Sequence, residues 1–399
     1  MIAFEEAYKL VMKHSLELGD EKVTLLKSTG RILAEDIKAD RDFPPFNRST
    51  KDGIAIHFSA IENGLKSFKI EGVLGAGMPK GTLSSSSNCL EIMTGAVLPA
   101  NADTIIMYEQ VELKNGRAKL LKEPIKGQNI HGQGSDIQAK EILLKKGTVI
   151  TTAVIGILAS VGKTEVLVKK LPKVCVISTG NELVEISETP LPHQIRKSNV
   201  LSLSAELEKK GIEHHLLHLT DEKKLIAKEL KKALETHDVL MLSGGVSKGK
   251  FDYIPEVLDG LGIKKVFHRV AQRPGKPFWF GIQEELNKVV FSFPGNPVST
   301  FANYHVYFMP WLDLLLGLRT NTKTVILDEP VQPHVSLTLF LQVATYWKKG
   351  QLRAKLVQGN GSGDLVSLAQ ADGFIQVAAA EEPIKKGSVL SFISVSLKS

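Results

Sequence analysis

The sequence is poor in cysteine, with only Cys89 and Cys175 among its 399 residues. Each of the two lies in or beside a short apolar run of the kind that forms a buried strand. Two thiols placed in this way exclude a disulfide framework, which small secreted proteins build from larger, even numbers of cysteines. We therefore expect a reduced, cytoplasmic protein.

Long apolar runs are also absent, since no stretch approaches the roughly 20 residues that span a bilayer. The first residues place Phe4, Ala7, Tyr8 and Val11 at helical spacing, with acidic and basic side chains between them. This mixture predicts an amphipathic helix and not a signal peptide. We expect no membrane partner.

The patterns typical of nucleic-acid binders are missing, although the net charge is +7 and the pI about 9.1. The eleven histidines show no zinc-finger spacing, and no segment interleaves aromatic and basic residues. Lysines alternate with glutamates in residues 221–232, which is typical of a solvated helix face. We expect no nucleic-acid partner, because a basic surface suits small anionic substrates equally well.

Three short apolar runs each open into a loop of small residues. The runs are Val174–Ile177, Val239–Leu242 and Val289–Phe293, and their loops begin at Ser178, Ser243 and Pro294. Such runs, each followed by a helical segment, predict a parallel α/β sheet. Ligands bind beyond the carboxyl ends of the strands in sheets of this kind. An ordinary tight turn is the alternative for any one loop, but three together favour a site.

The segments on either side of this sheet have different patterns, and the length of the chain predicts two to four domains. Residues 68–150 hold short strand-like runs and the hairpin dipeptide Asn115-Gly116, which predicts a separate β-domain. After residue 320 the chain returns to strands, which predicts a small β-barrel or sandwich. Helices are predicted at 199–210, 221–236 and 297–316.

Acidic residues occur beside the loops of the predicted sheet. Glu182 follows the first loop, Asp221 begins a predicted helix, and Asp252 follows the double-glycine loop. Oxygen ligands without a histidine or cysteine cluster suit Mg²⁺, which also binds substrate phosphate and water. For Asp221, an N-cap or a first-turn acid is the alternative.

Cations accompany these acids in the segment 267–280. Arg269, Arg273 and Lys276 surround a rigid Pro-Gly turn, an arrangement suited to a phosphate or another oxyanion. Solvated surface charge is the alternative. Acids for a metal and cations for phosphates, on loops of one sheet, indicate nucleotide or phosphoryl-type chemistry.

Several short motifs follow one another in a characteristic order. They are Pro44–Phe46 with Ser49 and Asp52-Gly53, Thr94-Gly95, Ser178–Gly180 with Glu182-Leu183, Gln194–Arg196 with Ser198-Asn199, Ser243–Ser247, Pro274–Pro277, and Pro294–Ser299. Together they resemble the molybdopterin molybdenumtransferase family, which includes bacterial MoeA and the C-terminal part of gephyrin. The resemblance covers essentially residues 1–399.

The resemblance implies a multidomain fold of class α/β plus β. A molybdopterin-binding α/β/α sandwich with a parallel-type sheet would occupy residues 169–318, and an inserted β-domain would occupy 41–136. An elongated α+β domain would combine 1–40 with 137–168, and a C-terminal β-barrel would occupy 319–399. Family members are homodimers with the active cleft between subunits.

The activity that the resemblance implies is a transferase reaction. Adenylylated molybdopterin and molybdate would be the substrates, Mg²⁺ the cofactor, and AMP and the molybdenum cofactor the products. A molybdopterin adenylyltransferase would be a further partner. A non-catalytic pterin-binding or scaffolding paralogue and a tungstate-inserting relative are the alternatives.

The resemblance also assigns roles to individual residues. The catalytic residues would be Asp52, Thr94, Glu182, Asp252 and Lys276, and the metal ligands Glu182, Asp221 and Asp252. Pterin, nucleotide or anion would be bound by Asp136, Ser178, Thr179, Gly180, Asp221, Ser243, Gly244, Gly245, Ser247, Arg269, Arg273, Pro294, Gly295, Asn296, Pro297 and Ser299. The chain departs from the family at Arg48, Lys51, Lys248 and Lys250, which make the site more basic.

Overall fold

The computed structural model describes residues 1–246, 253–319 and 322–395. The chain divides into two compact units. One unit combines Met1–Glu21 with the chain from Lys169 onward, and the other is Lys22–Val168. The finer division into four domains stays a prediction.

Helix α1 (Phe4–Lys13) is the amphipathic helix that the N-terminal spacing predicts. Its buried residues Phe4, Ala7 and Val11 belong to the same hydrophobic core as the α/β sheet. The sequence assigned this segment to the elongated domain, whereas its apolar face contributes to the core of the first unit.

The unit Lys22–Val168 is built mainly of short strands, of which the first begins and the last ends just outside its bounds. They are β1 (Asp20–Thr24), β2 (Ile37–Lys38), β3 (Arg48–Ser49), β4 (Gly53–Ile56), β5 (Ser67–Leu74), β6 (Asn88–Ile92), β7 (Thr104–Met107), β8 (Val111–Lys114), β9 (Arg117–Leu120), β10 (Ile130–His131), β11 (Ile142–Leu144) and β12 (Glu165–Lys169), with helices α2 (Ser59–Glu62) and α3 (Thr152–Ser160).

A six-stranded sheet of order β7-β4-β6-β5-β9-β8 forms the centre of this unit. The predicted hairpin is confirmed, because Lys114 pairs with Arg117 while Asn115 and Gly116 have φ of 51° and 71°. These positive values are those of a type I′ turn, which Asn-Gly adopts readily. Strand pairs β3–β10, β2–β11 and β1–β12 complete the unit.

The first unit contains the α/β sheet. The segment of the chain that forms this sheet and its helices has the elements β13 (Val174–Thr179), β14 (Leu183–Val184), β15 (Ile195–Arg196), α4 (Asn199–Lys209), β16 (His214–Leu219), α5 (Lys223–Thr236), β17 (Val239–Ser243), α6 (Ile254–Gly260), β18 (Lys264–His268), β19 (Gln272–Arg273), β20 (Trp279–Gln283) and β21 (Lys288–Phe293).

The strand order is β16-β13-β17-β21-β20-β18. The first four strands are parallel, β20 runs antiparallel to them, and β18 runs antiparallel to β20. Alternate residues of the central strands enter two different cores. Val176 and Met241 pack on the side of α4, and Ile177 and Leu242 pack on the side of α5. Burial on both faces explains the continuous apolar runs and confirms the predicted α/β sandwich.

The predicted helix 297–316 is interrupted. The chain forms α7 (Pro297–Asn303), a π-helical turn (Tyr304–Phe308) and α8 (Met309–Leu315). Pro310 has no N–H to offer the preceding turn, so the backbone carbonyls there shift to a wider hydrogen-bonding pattern. The turn is fully buried, and burial lowers the pKa of His305 to about 3, with Lys209 and Lys210 adding to the effect.

After α8 the chain forms a closed barrel. Its strands are β22 (Lys323–Leu327), β23 (Thr338–Lys348), β24 (Gln351–Leu356), β25 (Gly373–Val377) and β26 (Val389–Ser394), with helix α9 (Leu365–Gln370) between β24 and β25. The ring closes through β23-β24-β22-β26-β25 and back to β23. This confirms the predicted barrel.

The two thiols are free and buried, and burial raises the pKa of Cys175 to about 12. Within the three described ranges, no helix combines the length and the apolar character needed to cross a bilayer.

Gly53 and Gly156 make a matched pair for testing the packing of the second unit. A Cβ on Gly53 would lie 2.0 Å from the backbone oxygen of Ile106 in the neighbouring strand. On Gly156, within α3, it would meet no described atom within 4 Å. We expect Gly53→Ala to destabilise the protein by about 3 kcal/mol or more. Gly156→Ala should stabilise it by about 0.5–1 kcal/mol.

Urea unfolding followed by circular dichroism measures both effects. Equal stabilities for the two variants would contradict the close approach of β4 to β7.

Candidate functional site

A cavity of about 370 Å³ lies at the carboxyl ends of β13, β17 and β21. All three predicted loops contribute to its lining. Of the predicted site residues, those that line it are Ser178, Thr179, Glu182, Ser243, Gly244, Gly245, Pro294, Gly295, Asn296 and Pro297. Topology explains this convergence, because parallel strands direct their following loops to the same edge.

Glycines let the loop backbones approach one another closely. Gly244 and Gly245 have φ of 101° and 72°, which side-chain-bearing residues rarely adopt. A Cβ on Gly244 would lie 2.9 Å from the hydroxyl of Thr179, and one on Gly245 would lie 2.6 Å from the side chain of Ile254. The double glycine is therefore required by the geometry of the loop.

Asn199, at the start of α4, joins two of the loops. Its amide donates hydrogen bonds to the Ser243 hydroxyl at 2.9 Å and to the Gly295 carbonyl at 2.6 Å. Asn199 belongs to one of the sequence motifs, but no role was predicted for it. A third bond reaches the Thr300 hydroxyl at 3.4 Å. All of these partners lie far along the chain, so only the folded structure reveals the function of Asn199 as a connector.

Two further cations border the cavity, and sequence reasoning missed them. Arg196 and Lys197 both line it. Lys197 is paired with Glu185, and this ion pair lowers the pKa of the Glu185 carboxyl. The motif Gln194–Arg196, which precedes α4, could have indicated these cations, because Arg196 is part of it.

Of the three predicted metal ligands, Glu182 lies at the cavity wall. Its carboxylate folds over Gly180, where an added Cβ would lie 2.3 Å from Oε2. Gly180 itself has a φ of 127°, which permits this close contact.

Asp221 is not among the residues that line the cavity. It precedes α5, whose N-cap is Glu222, so the predicted N-cap position is off by one residue. Its backbone N–H donates to the Asn181 side chain at 3.2 Å. Across the described ranges, no group of three His, Cys, Asp or Glu side chains is close enough to hold a metal.

Asp252 and Ser247 lie outside the described residues, as do Lys248 and Lys250. Their predicted roles therefore stay predictions.

A second cavity, of about 550 Å³, adjoins the first and shares Pro277, Pro294 and Asn296 with it. Two of the predicted cations, Arg273 and Lys276, line this cavity together with Ser299. Arg269 lines neither cavity; its backbone has a φ of 73° and its N–H donates to Phe278.

The barrel completes the second cavity. Its loop contributes Gly359, Gly361 and Ser362 to the lining. The Asn296 amide donates to the Ser362 hydroxyl at 2.9 Å, and the Val298 N–H donates to the Ser362 carbonyl at 3.0 Å. No sequence pattern predicted a role for this glycine-rich stretch.

In the other unit, Asp52 and Thr94 are directly bonded. Asp52 Oδ1 accepts the Thr94 N–H at 2.6 Å and the Thr94 hydroxyl at 2.8 Å. These two bonds, the backbone one first, lower the pKa of Asp52 below its usual value. The carboxylate is thus held ionised and oriented at the start of β4.

Asp136 lies in the same unit, next to His131. The distance from His131 Nε2 to Asp136 Oδ1 is 2.8 Å, and Arg48 Nη2 lies 3.3 Å from His131 Nδ1. Arg48 and His131 are cross-strand partners in the β3–β10 pair.

Comparison with known proteins gives consistent matches along the chain. Residues 2–162 match the family model of the MoeA N-terminal region (domain I and II), and residues 175–313 match that of a probable molybdopterin binding domain. Residues 325–395 match the MoeA C-terminal region (domain IV).

Full-length relatives carry a single name. The chain is 37% identical over 398 residues to the molybdopterin molybdenumtransferase of Synechocystis sp., covering 98% of this chain and 99% of that protein. It is 33% identical over 405 residues to the protein of the same name from Staphylococcus epidermidis, covering 98% and 95%.

Among solved structures, the molybdopterin biosynthesis MoeA protein from Pyrococcus horikosii superposes with a TM-score of 0.83 at 31% identity, covering 99% of each chain. Three adjacent family models, relatives matched from end to end and a shared fold agree with the site geometry. The chain therefore belongs to the molybdopterin molybdenumtransferase (MoeA) family of molybdenum cofactor biosynthesis.

Proposed function

We propose that this protein inserts molybdate into adenylylated molybdopterin, releasing AMP and giving the molybdenum cofactor. One observation supports this most strongly: a cavity bounded by three loops of the α/β sheet opens beside a second cavity with two cations. The first has the size of a small-molecule pocket. The second carries the charge that an oxyanion requires.

The first cavity is proposed to bind the pterin. Its wall combines glycine backbone with the hydroxyls of Ser178, Thr179 and Ser243. A flat, polar ring fits between closely spaced backbones, and hydroxyls can both donate to and accept from its edge. Asn199 fixes the spacing of two of the loops before any ligand arrives.

The second cavity is proposed to hold the molybdate and the adenylyl phosphate. Arg273 and Lys276 are exposed side chains on a turn made rigid by Pro274 and Pro277. A guanidinium forms two parallel bonds with a tetrahedral oxyanion, and an ammonium adds a point charge. These cations would stabilise negative charge that develops as the phosphate bond breaks.

Mg²⁺ is proposed as the cofactor. Mg²⁺ commonly uses one or two carboxylates, substrate phosphate and water, and the Glu182 carboxylate at the cavity wall fits that donor set. Asp221 and Asp252 are the other proposed ligands. When bound, the ion would neutralise phosphate charge and polarise the bond to AMP. Glu182 would hold it beside the pterin cavity.

The active protein is proposed to be a cytoplasmic homodimer. Asp52, Thr94 and Asp136 of one subunit would complete the cavity of the other, so that an oriented carboxylate faces the bound substrate. Asp52 suits this part because its two bonds from Thr94 keep it ionised. A molybdopterin adenylyltransferase, which makes the substrate, is proposed as a further partner.

Removal of the Asp52 carboxylate tests the proposed reaction. We expect Asp52→Ala to lower molybdate-dependent AMP release by about a hundredfold or more, while pterin affinity changes little, because the carboxylate is assigned to the chemical step. The assay incubates protein, adenylylated molybdopterin and Mg²⁺ with molybdate or with tungstate and follows AMP.

The matched control is Asp36→Ala in the same unit. The Asp36 carboxylate also accepts a backbone N–H, that of Lys146 at 2.7 Å, so this change removes a similar loop contact. It should release AMP at the normal rate. Normal turnover by Asp52→Ala would show that the assigned role is wrong. If AMP were released with tungstate but not with molybdate, tungstate would be the substrate in place of molybdate.

The Asn199 connector provides a separate test of the pterin cavity. Asn199→Ala leaves the Ser243 hydroxyl and the Gly295 carbonyl without their shared donor, so the two loops lose their fixed spacing. We expect the dissociation constant of molybdopterin to rise about tenfold. Fluorescence titration measures this affinity. Ser202→Ala, on the same helix, removes only a bond to Ser198 and should leave the affinity unchanged.

The depressed pKa of Asp52 gives a third test. Thr94→Val removes the hydroxyl bond and keeps the backbone bond, so the Asp52 pKa should rise toward its usual value without reaching it. The variant would lose the Asp52 charge at a higher pH than the native protein. Carbon NMR of labelled aspartate follows this titration, and Thr50→Val, whose hydroxyl bonds Asn129, serves as the control.

A further inference from the structure

The segment 42–48 and the loop 131–136 hold each other in place in the unit Lys22–Val168. The N–H groups of Gly134 and Asp136 donate to the carbonyls of Pro44 and Phe43, each at 3.0 Å. The Gln133 N–H donates to the Asn47 side chain at 2.7 Å. The loop thus reaches Asp136 with its backbone already fixed.

Side chains reinforce this docking. Asp42 accepts the Gln133 amide at 2.9 Å and the Ala139 N–H at 2.9 Å. Gly134 has a φ of 68°, and an added Cβ there would lie 3.4 Å from the Asp42 carboxyl carbon. Bonds on both sides of Asp136 therefore leave mainly its side chain to be oriented.

The imidazole of His131 connects the Asp136 carboxylate to a cation. Arg48 Nη2 lies 3.3 Å from Nδ1, and Asp136 Oδ1 lies 2.8 Å from Nε2. A guanidinium in a protein does not lose its proton and has no acceptor, so Arg48 donates. Nδ1 must then be the acceptor, and the ring proton lies on Nε2, which donates to Asp136.

The β-sheet register makes this direction a fixed property of the fold. Arg48 and His131 are directly opposite in the antiparallel pair β3–β10. Cross-strand neighbours on one face lie close enough for their side chains to interact without any further rearrangement. Reversal of the bond direction would require the guanidinium to leave.

The two oxygens of the Asp136 carboxylate differ in their hydrogen bonding. Within the described residues, the hydrogen bonds to the Asp136 side chain, from His131 and from Ser135 at 3.4 Å, both reach Oδ1. The Asp136 side chain is 57% exposed. Even a full ion pair contributes little to stability at so exposed a position, and a bond from a neutral imidazole contributes no more, so this arrangement has little structural purpose of its own.

We propose that His131 is a positioning residue: Arg48 fixes its Nε2–H form, and that form holds the Asp136 carboxylate with Oδ2 free to accept an N–H or O–H of the pterin or nucleotide. This inference rests on the proposed function, which assigns Asp136 to substrate binding. It adds two residues, Arg48 and His131, that act through Asp136.

Two substitutions of His131 by amide side chains test its two hydrogen bonds, to Asp136 and from Arg48, separately. His131→Gln places an N–H donor where Nε2 stood and so keeps the bond to Asp136. His131→Asn places an acceptor where Nδ1 stood and keeps only the bond from Arg48. Because a bond to a charged group is lost, His131→Asn should raise KM for adenylylated molybdopterin about tenfold, with kcat changed less than about twofold.

His131→Gln should stay within about twofold of the native KM. Thermal unfolding checks that both variants fold. Equal KM values for the two variants, or a change in kcat alone, would overturn the positioning role.

The imidazole state is measured directly by nitrogen NMR of protein labelled at histidine, with the His131→Asn spectrum assigning the signal. The native protein should show a protonated Nε2 and a bare Nδ1. In Arg48→Met the signal should move toward a mixture of forms, because no fixed donor remains on Nδ1.

A native Nδ1–H form would overturn the inference whatever the activity. This measurement needs no substrate, so it tests the inference about His131 independently of the activity. A native protein that releases no AMP would refute the proposed function, whereas the NMR spectrum would still show which nitrogen of His131 carries the proton.

Discussion

The close approach of three loop backbones at one edge of the α/β sheet is the constraint on which the site depends. Thr179 ends β13, Gly244 follows β17 and Gly295 lies just after β21, and the glycine backbones come within van der Waals reach of their neighbours. A side chain at Gly244 or Gly245 would fill this space. The loops can therefore approach so closely because Gly244 and Gly245 have no Cβ.

The strands that carry these loops have their own requirement. Because β13, β17 and β21 are covered by helices on both faces, their side chains must be apolar on both sides. The polar groups of the site consequently lie at the carboxyl ends of the strands and in the loops that follow, and Asn199 connects two of these loops. The division between an apolar sheet and a polar rim explains why the site residues come in short clusters along the sequence.

The second unit handles its carboxylates in a different way. Asp52 is held by a backbone N–H and a hydroxyl from Thr94, whereas Asp136 is held by an imidazole that a guanidinium orients. In both arrangements the bonds reach Oδ1, and both residues are exposed. Both carboxylates belong to the unit Lys22–Val168, whereas the cations Arg273 and Lys276 belong to the first unit.

The sequence by itself determined the fold class, the central strands, the hairpin at Asn115-Gly116 and the barrel strands, because each depends on periodicity or turn chemistry within a few residues. It also indicated the loops of the first cavity, since parallel strands bring their carboxyl ends together. Tertiary structure alone decided that Ser362 of the barrel meets Asn296, and that Arg48 meets His131 across 83 residues of chain. Such contacts depend on strand register and on packing between distant segments, which no local pattern encodes. The π-helical turn had a visible cause in Pro310, but whether a proline ends a helix or widens one turn is decided by the core that surrounds it.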